Sequence, residues 1–217
     1  STIVEGLRRA ASPALCVAFN KRIAEELTKR LSGSAASAST MNSLGHRAWA
    51  KAIGKRLTLN TNKLYALTCE HYSGEAFSDV LGLARAARVS GLVPERFAIR
   101  GLLPDSLESW ESIADYFDLD FNAETYSAAR KILDEAIKQG YAGTIDFDDQ
   151  IYLSALFSGR FEKVPLVVVD EAQDLSPLQH RMLQKIVGER ICIVGDPRQC
   201  HPPGTAVYVT GQGWRSI

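Results

Sequence analysis

The run Val164-Pro165-Leu166-Val167-Val168-Val169 is followed at once by Asp170, Glu171, Ala172, Gln173 and Asp174. Apart from Pro165 it is Val or Leu throughout, with no alternation of apolar and polar side chains. That pattern predicts a strand buried on both faces of a parallel sheet. In open α/β sheets ligands collect beyond the carboxyl ends of the strands, so the carboxylates stand where chemistry is done. A buried strand ending in Asp-Glu suits hydrolysis of a magnesium nucleotide. One carboxylate holds the metal through water, and its neighbour orients or deprotonates the attacking water. The same residues also suit a plainer role at a helix start, since Asp174 or Ser176 followed by Pro177 makes a good N-terminus.

A second apolar run, Ile191-Cys192-Ile193-Val194, ends in Gly195-Asp196-Pro197-Arg198-Gln199. One helix's worth of residues separates it from the first. The pair V-V-V-D-E-A-Q-D and I-V-G-D-P-R-Q resembles motifs II and III of the UvrD/Rep-like superfamily 1 helicases. The resemblance implies an α/β fold, a partial RecA-like P-loop NTPase sheet carrying a helical insertion. It implies ATP and Mg²⁺ as ligands, with Asp170 positioning the metal and Glu171 activating the hydrolytic water. By the same resemblance Gln199 senses the γ-phosphate, and Gln173 and Asp174 link the nucleotide site to a DNA site.

Other stretches extend the resemblance. Ala14-Leu15-Cys16-Val17-Ala18-Phe19-Asn20 reads as another buried strand, with a helix from Lys21 to Leu31 behind it. It resembles family motif Ia, which meets single-stranded DNA at the strand's end. Phe19 offers a ring for stacking, while Asn20 and Lys21 offer phosphate or sugar contacts. Ser32 to Ser39 is small and polar and predicts a loop. Thr40-Met41-Asn42-Ser43-Leu44-Gly45-His46 resembles the T-x-H-S-L motif along the DNA path, which adds Thr40, Asn42 and Ser43 to the DNA-side residues. Asn42 replaces the usual His, and His46 is either a phosphate neighbour or a helix residue with no role.

At the N-terminus, Ile3, Val4, Leu7 and Ala10 fall at helical spacing. In the family a G-x-x-x-x-G-K-[ST] loop runs straight into such a helix, and either Ser1 or Thr2 matches the residue immediately after that loop, or Ser1 matches its last member. The glycines and lysine do not stand in these 217 residues. The expectation is therefore a piece that begins just past the phosphate loop and needs that loop and a second motor domain for turnover.

Between Thr58 and Gly140 the pattern is helical and irregular, without strand-like runs, matching the position of the family's 1B insertion. The acidic stretch around Asp105, Glu108, Glu111, Asp115, Asp118, Asp120 and Glu124 reads as a solvated helix surface. Asp146-Phe147-Asp148-Asp149 has metal-ligand spacing, but the family implies a structural or DNA-side role for it. The expected organisation is residues 1–57 and 141–199 as the RecA-like part (1A), with 58–140 as the helical insertion (1B). Residues 200–217 form a separate piece. There Cys200 is followed by Pro202-Pro203-Gly204-Thr205 and an alternating Ala206–Val209 run, which resembles the first block of an intein, with Cys200 as the splicing nucleophile attacking the Gln199 carbonyl. A divergent loop is the alternative.

Hydrophobic content of 46% and charged content of 23% suit a soluble globular chain, and no apolar run reaches the roughly 20 residues of a membrane helix. Cys16, Cys69, Cys192 and Cys200 show no metal spacing, and Cys16 and Cys192 fall in predicted buried strands. The thiols are therefore expected to be reduced, in a cytoplasmic bacterial or phage-encoded protein or a nuclear eukaryotic one. The formal net charge is zero but uneven. Residues 1–63 carry eleven Lys/Arg against three Glu, a balance of +8. The remainder carries fourteen Lys/Arg against twenty-two Asp/Glu, a balance of −8. A basic N-terminal third suits a phosphate backbone. The function expected is an ATP-dependent DNA helicase or translocase, 3′-to-5′ by resemblance, acting on single strands and single-strand/duplex junctions. The competing expectations are a single-strand-binding P-loop scaffold without turnover and a protein-splicing precursor.

Overall fold

The structure, a computed structural model, describes residues 2–10 and 12–195. In chain order the elements are α1 (Thr2–Arg8), β1 (Ala14–Ala18), α2 (Lys21–Arg30), β2 (Ala36–Thr40), α3 (Met41–Ile53) and β3 (Thr58–Leu59). There follow α4 (Lys63–His71), α5 (Phe77–Val89), α6 (Leu107–Tyr116), α7 (Ala123–Ala142), β4 (Thr144–Ile145) and α8 (Phe147–Leu156). The last are β5 (Val164–Val169), α9 (Pro177–Ile186) and β6 (Val187–Ile193), with short 3-10 turns at Glu95–Phe97 and Ala172–Asp174. The α/β class and the parallel central sheet expected from the sequence are both present. Among the described residues no helix is long and apolar enough to cross a membrane.

The chain divides into two compact units, residues 1–44 with 161–217, and residues 45–160. The first holds a four-stranded parallel sheet in the order β2-β1-β5-β6. Every residue of β1 is buried, as is the Val167–Val169 half of β5. Val4 and Leu7 of α1 pack with Ala14, Cys16, Leu31 and Val168 to make one core of this unit. The register pairs Val17 with Val169 and Ala18 with Thr40, so β1, β2 and β5 end level with one another. The β5–β6 ladder slips between Val164 and Leu166, where Pro165 has no N–H to give.

Two expectations change here. Ser32 to Ser39 is not all loop, because Ala36–Ser39 belongs to β2. Its Ala and Ser side chains carry little strand preference, and the parallel ladder to β1 supplies what they lack. Cys192 is exposed rather than buried, since β6 lies at the edge of the described sheet and its side chains are exposed or only partly covered.

The second unit is helical apart from the two-residue parallel pair β3–β4, a strand pairing the sequence did not suggest. That pair joins Thr58–Leu59 to Thr144–Ile145. The Trp49 indole also donates to the Gly140 carbonyl at 3.1 Å. Flanking segments are thereby tied to α7, and the unit divides from the sheet at 44/45 and 160/161 instead of the expected 57/58 and 140/141.

Charged groups sit inside this unit. Arg88 Nη1 donates to both Asp146 oxygens, at 3.0 and 2.8 Å, and to Asp149 Oδ1 at 2.8 Å. Burial opposes the guanidinium's charge, but Asp149, Asp146 and Asp148 outweigh it and raise its pKa. Asp146 and Asp149 also close a capping box at the start of α8. Their spacing thus serves internal ion pairs rather than a metal, and among the described residues no group of three or more His, Cys, Asp and Glu is placed to hold one. Asp105 departs from the solvated surface expected of it. Its side chain is 2% exposed and accepts from Trp110 Nε1, the Glu95 N–H and Arg130 Nη2 at 2.9, 2.9 and 2.6 Å. His46 meets the amide of Gln150, with 3.3 Å between Nδ1 and Nε2.

Candidate functional site

In the first unit the chain leaves β1 for β2 on one side, and leaves β5 for β6 on the other. The order of strands therefore reverses between β1 and β5, and such a switch point opens a crevice at the carboxyl ends of the strands. A groove lies there. Phe19, Asn42, Asp170, Glu171, Asp174 and Gln179 are among its lining residues. Residues expected on the nucleotide side and residues expected on the DNA side thus line one groove.

Asp170 follows the last buried residue of β5, and both Asp170 and Glu171 are exposed. Asp170 Oδ1 accepts from the Glu171 N–H at 3.2 Å. Among the described residues neither carboxylate forms a salt bridge with a basic side chain. Asp170's charge reaches into the sheet: burial first, and then Asp170, push the Cys16 thiol up to about 11. Two adjacent carboxylates with no basic partner among the described residues fit a cation. They make only a partial shell, of the kind Mg²⁺ completes with water and phosphate oxygens.

Glu171 stands at φ 53°, ψ 43°, in the left-handed region, which is uncommon for a side chain of its size. The conformation turns the chain sharply into Ala172–Asp174, and the Asp174 N–H closes the turn on the Glu171 carbonyl at 3.1 Å. Gln173 is 5% exposed, and its Nε2 donates to Glu171 Oε2 at 2.6 Å. Val194, the first residue after β6, lies directly on this turn. Ala172 N–H donates to the Val194 carbonyl at 3.0 Å, and Val194 N–H donates to the Val169 carbonyl at 2.8 Å. The helix start falls at Ser176, not at Asp174. Ser176 caps α9 in a capping box with Gln179, with Pro177 in the first turn. Gln179 was not singled out from the sequence as a site residue, although the S-x-x-Q cap would have placed it beside the groove.

Of the residues expected on the DNA side, Phe19 and Asn42 line the groove, and Asn20, Lys21, Thr40 and Ser43 adjoin them in the chain. Phe19 is 68% exposed, directly after the buried β1. Asn20 caps α2, accepting from the Ile23 N–H at 2.9 Å, and Lys21 is exposed, with Glu25 3.8 Å away. Thr40 Oγ1 accepts from the Ser43 N–H at 3.2 Å at the head of α3. Asn42 is partly buried. Lys63, one of the eleven basic residues of the N-terminal third, cannot face a nucleic acid, because it is 1% exposed. Ser1, Gln199 and Cys200 lie outside the described residues, as do the side chain of Thr2 and the expected 206–209 strand.

A family model described as AAA domain matches residues 1–205. The chain belongs to the AAA domain family. This is a P-loop NTPase-like, helicase-related family, and nucleotide with Mg²⁺ is the ligand such domains generally take. The match extends beyond Gln199 and Cys200. No curated protein matches the chain.

Proposed function

We propose that this AAA domain is part of an ATP-dependent DNA helicase or translocase that couples ATP hydrolysis to movement on single-stranded DNA, 3′-to-5′ by resemblance to UvrD and Rep. The observation that supports this reading best is the single groove shared by Asp170 and Glu171 with Phe19 and Asn42. A hydrolytic centre and a nucleic-acid path so close together suit a motor better than a passive binder.

Asp170 would hold Mg²⁺ through water, with the hydroxyl of Ser1 or Thr2 as a further partner. When bound, the ion would neutralise charge on the β- and γ-phosphate oxygens. Glu171 would take the proton of the attacking water, and the Gln173 amide fixes the carboxylate that receives it. Gln199 would sense the γ-phosphate. Phe19 would stack a base, Asn20, Lys21, Thr40, Asn42 and Ser43 would contact the strand, and Asp174 would link the two sides.

The test is ATP hydrolysis and nucleotide binding by the complete gene product. Glu171→Gln is expected to lower kcat on the order of 10²–10⁴-fold with nucleotide affinity kept, whereas Asp170→Asn weakens Mg-nucleotide binding itself. Near-normal kcat in Glu171→Gln overturns the assigned role. The reading of Cys200 as a splicing nucleophile is a separate proposal resting on sequence pattern. Mass analysis of the expressed reading frame decides it. Splicing gives a ligated product and an excised one, both lost in Cys200→Ala, while a single full-length product removes the idea.

A further inference from the structure

A side chain at Gly195 would crowd the end of the Gln173 side chain and the turn behind it. A Cβ built on it would collide with the side-chain oxygen of Gln173. It would also stand 3.1 Å from the Ala172 nitrogen and 3.2 Å from the Gln173 nitrogen. The last two are backbone atoms of the tight turn that follows Glu171, and a turn entered through a left-handed Glu has little room to adjust. Nothing about Gly195's own backbone requires glycine, since its φ is not in the positive region. The requirement is space, and it comes from the groups that hold Glu171.

We propose that Gly195 is a positioning residue for the hydrolytic centre, acting through Gln173 on the carboxylate of Glu171. The absence of a side chain lets the end of β6 close on the Ala172–Gln173 turn, held by the Ala172–Val194 hydrogen bond. In that closed arrangement the Gln173 amide reaches Glu171 Oε2. Any movement at the end of β6 is thereby transmitted to the base through two contacts. Gln173 is buried and its amide is directed at the carboxylate, so it serves as the connecting strut and not as a ligand to substrate. This inference rests on the reading of Glu171 as the general base.

The experiment compares Gly195→Ala with Gln173→Ala and Glu171→Gln. On the 217-residue chain, the side-chain amide resonances of Gln173 are followed in nitrogen-15 spectra alongside thermal unfolding. On the complete gene product, kcat and KM for ATP are measured. Gly195→Ala is expected to shift or split the Gln173 amide signals while the fold is kept. It should lower kcat by roughly ten- to a hundredfold, the penalty of a small misplacement of a catalytic group, with KM changed less than twofold. The double variant Gly195→Ala/Gln173→Ala should fall no further in kcat than Gln173→Ala alone, because both act through one strut. Unmoved Gln173 signals in a folded Gly195→Ala chain, or additive losses in the double variant, overturn the proposal. If the Gln173 signals move as expected while Glu171→Gln retains full kcat, the positioning contact stands and it is the general-base reading that fails.

Discussion

The Lys63 ammonium and the Asp149 carboxylate meet at 2.5 Å inside the helical unit, with both side chains at most 1% exposed. Lys63 Nζ also donates to the Ala136 carbonyl at 2.6 Å. Burial holds the lysine below its usual range even though Asp149 and Asp146 support its charge. With Arg88 and Asp146 the buried groups are two cations and two carboxylates, and the partly exposed Asp148 meets Arg88 from outside, where Arg85 also pairs with it. Lys63→Met or Asp149→Asn alone leaves one buried charge without its counterpart, and each should destabilise this unit by about 3–5 kcal/mol. The double variant restores the balance, so its loss should be smaller than the two single losses together. Urea unfolding followed by tryptophan fluorescence checks this, because Trp49 and Trp110 are fully buried in the same unit. Strictly additive losses would mean that the two groups do not act as a pair.

His180 gives the sheet unit a pH dependence. It is 1% exposed on α9, and burial lowers its pKa from 6.5. Between the folded value and 6.5 the unfolded chain binds a proton that the folded chain refuses. Stability therefore rises with pH across that window and is lost as pH falls through it. Replacing His180 with Met should flatten the pH dependence of urea stability as pH falls below 6.5, relative to the unsubstituted chain. An unchanged slope in His180→Met would assign the acid sensitivity to other groups.

The sequence signal was strongest where one physical effect dominates. Val167–Val169 and Leu15–Val17 are apolar because both sheet faces are covered, so strand, direction and acidic exit could be read from pattern alone. Ala36–Ser39 could not be, because small polar residues become a strand only once β1 is there to pair with. Asp105 looked like its acidic neighbours, and only the fold brings Trp110, Arg130 and the Glu95 amide around it. Lys63 counted towards a basic face for the same reason: its partner Asp149 lies far along the chain. Asp170, Glu171 and Gln173 could be picked out through their order, and the fold sets them at the end of β5. The crowding around Gly195 could not be, since it arises from a contact between two segments far apart in the sequence.

The proposed DNA edge makes a prediction for the chain on its own. Phe19 is exposed directly beyond a fully buried strand, while its neighbour Asn20 is committed to capping α2. Among the described residues Lys21 is held only by an exposed contact with Glu25, which contributes little. The three residues should therefore separate in a titration of labelled oligothymidylate at several salt concentrations. Phe19→Ala should weaken binding by ~1–3 kcal/mol for the base it stacks without changing the salt slope. Lys21→Ala should reduce that slope by about the contribution of one phosphate contact. Asn20→Ala should weaken binding and, unlike the other two, also lower folding stability by about 1 kcal/mol through loss of the cap. Equal affinity and equal salt slope in all three variants would place the nucleic-acid path away from the β1 end of the groove, leaving Asp170 and Glu171 with a nucleotide but no strand beside them.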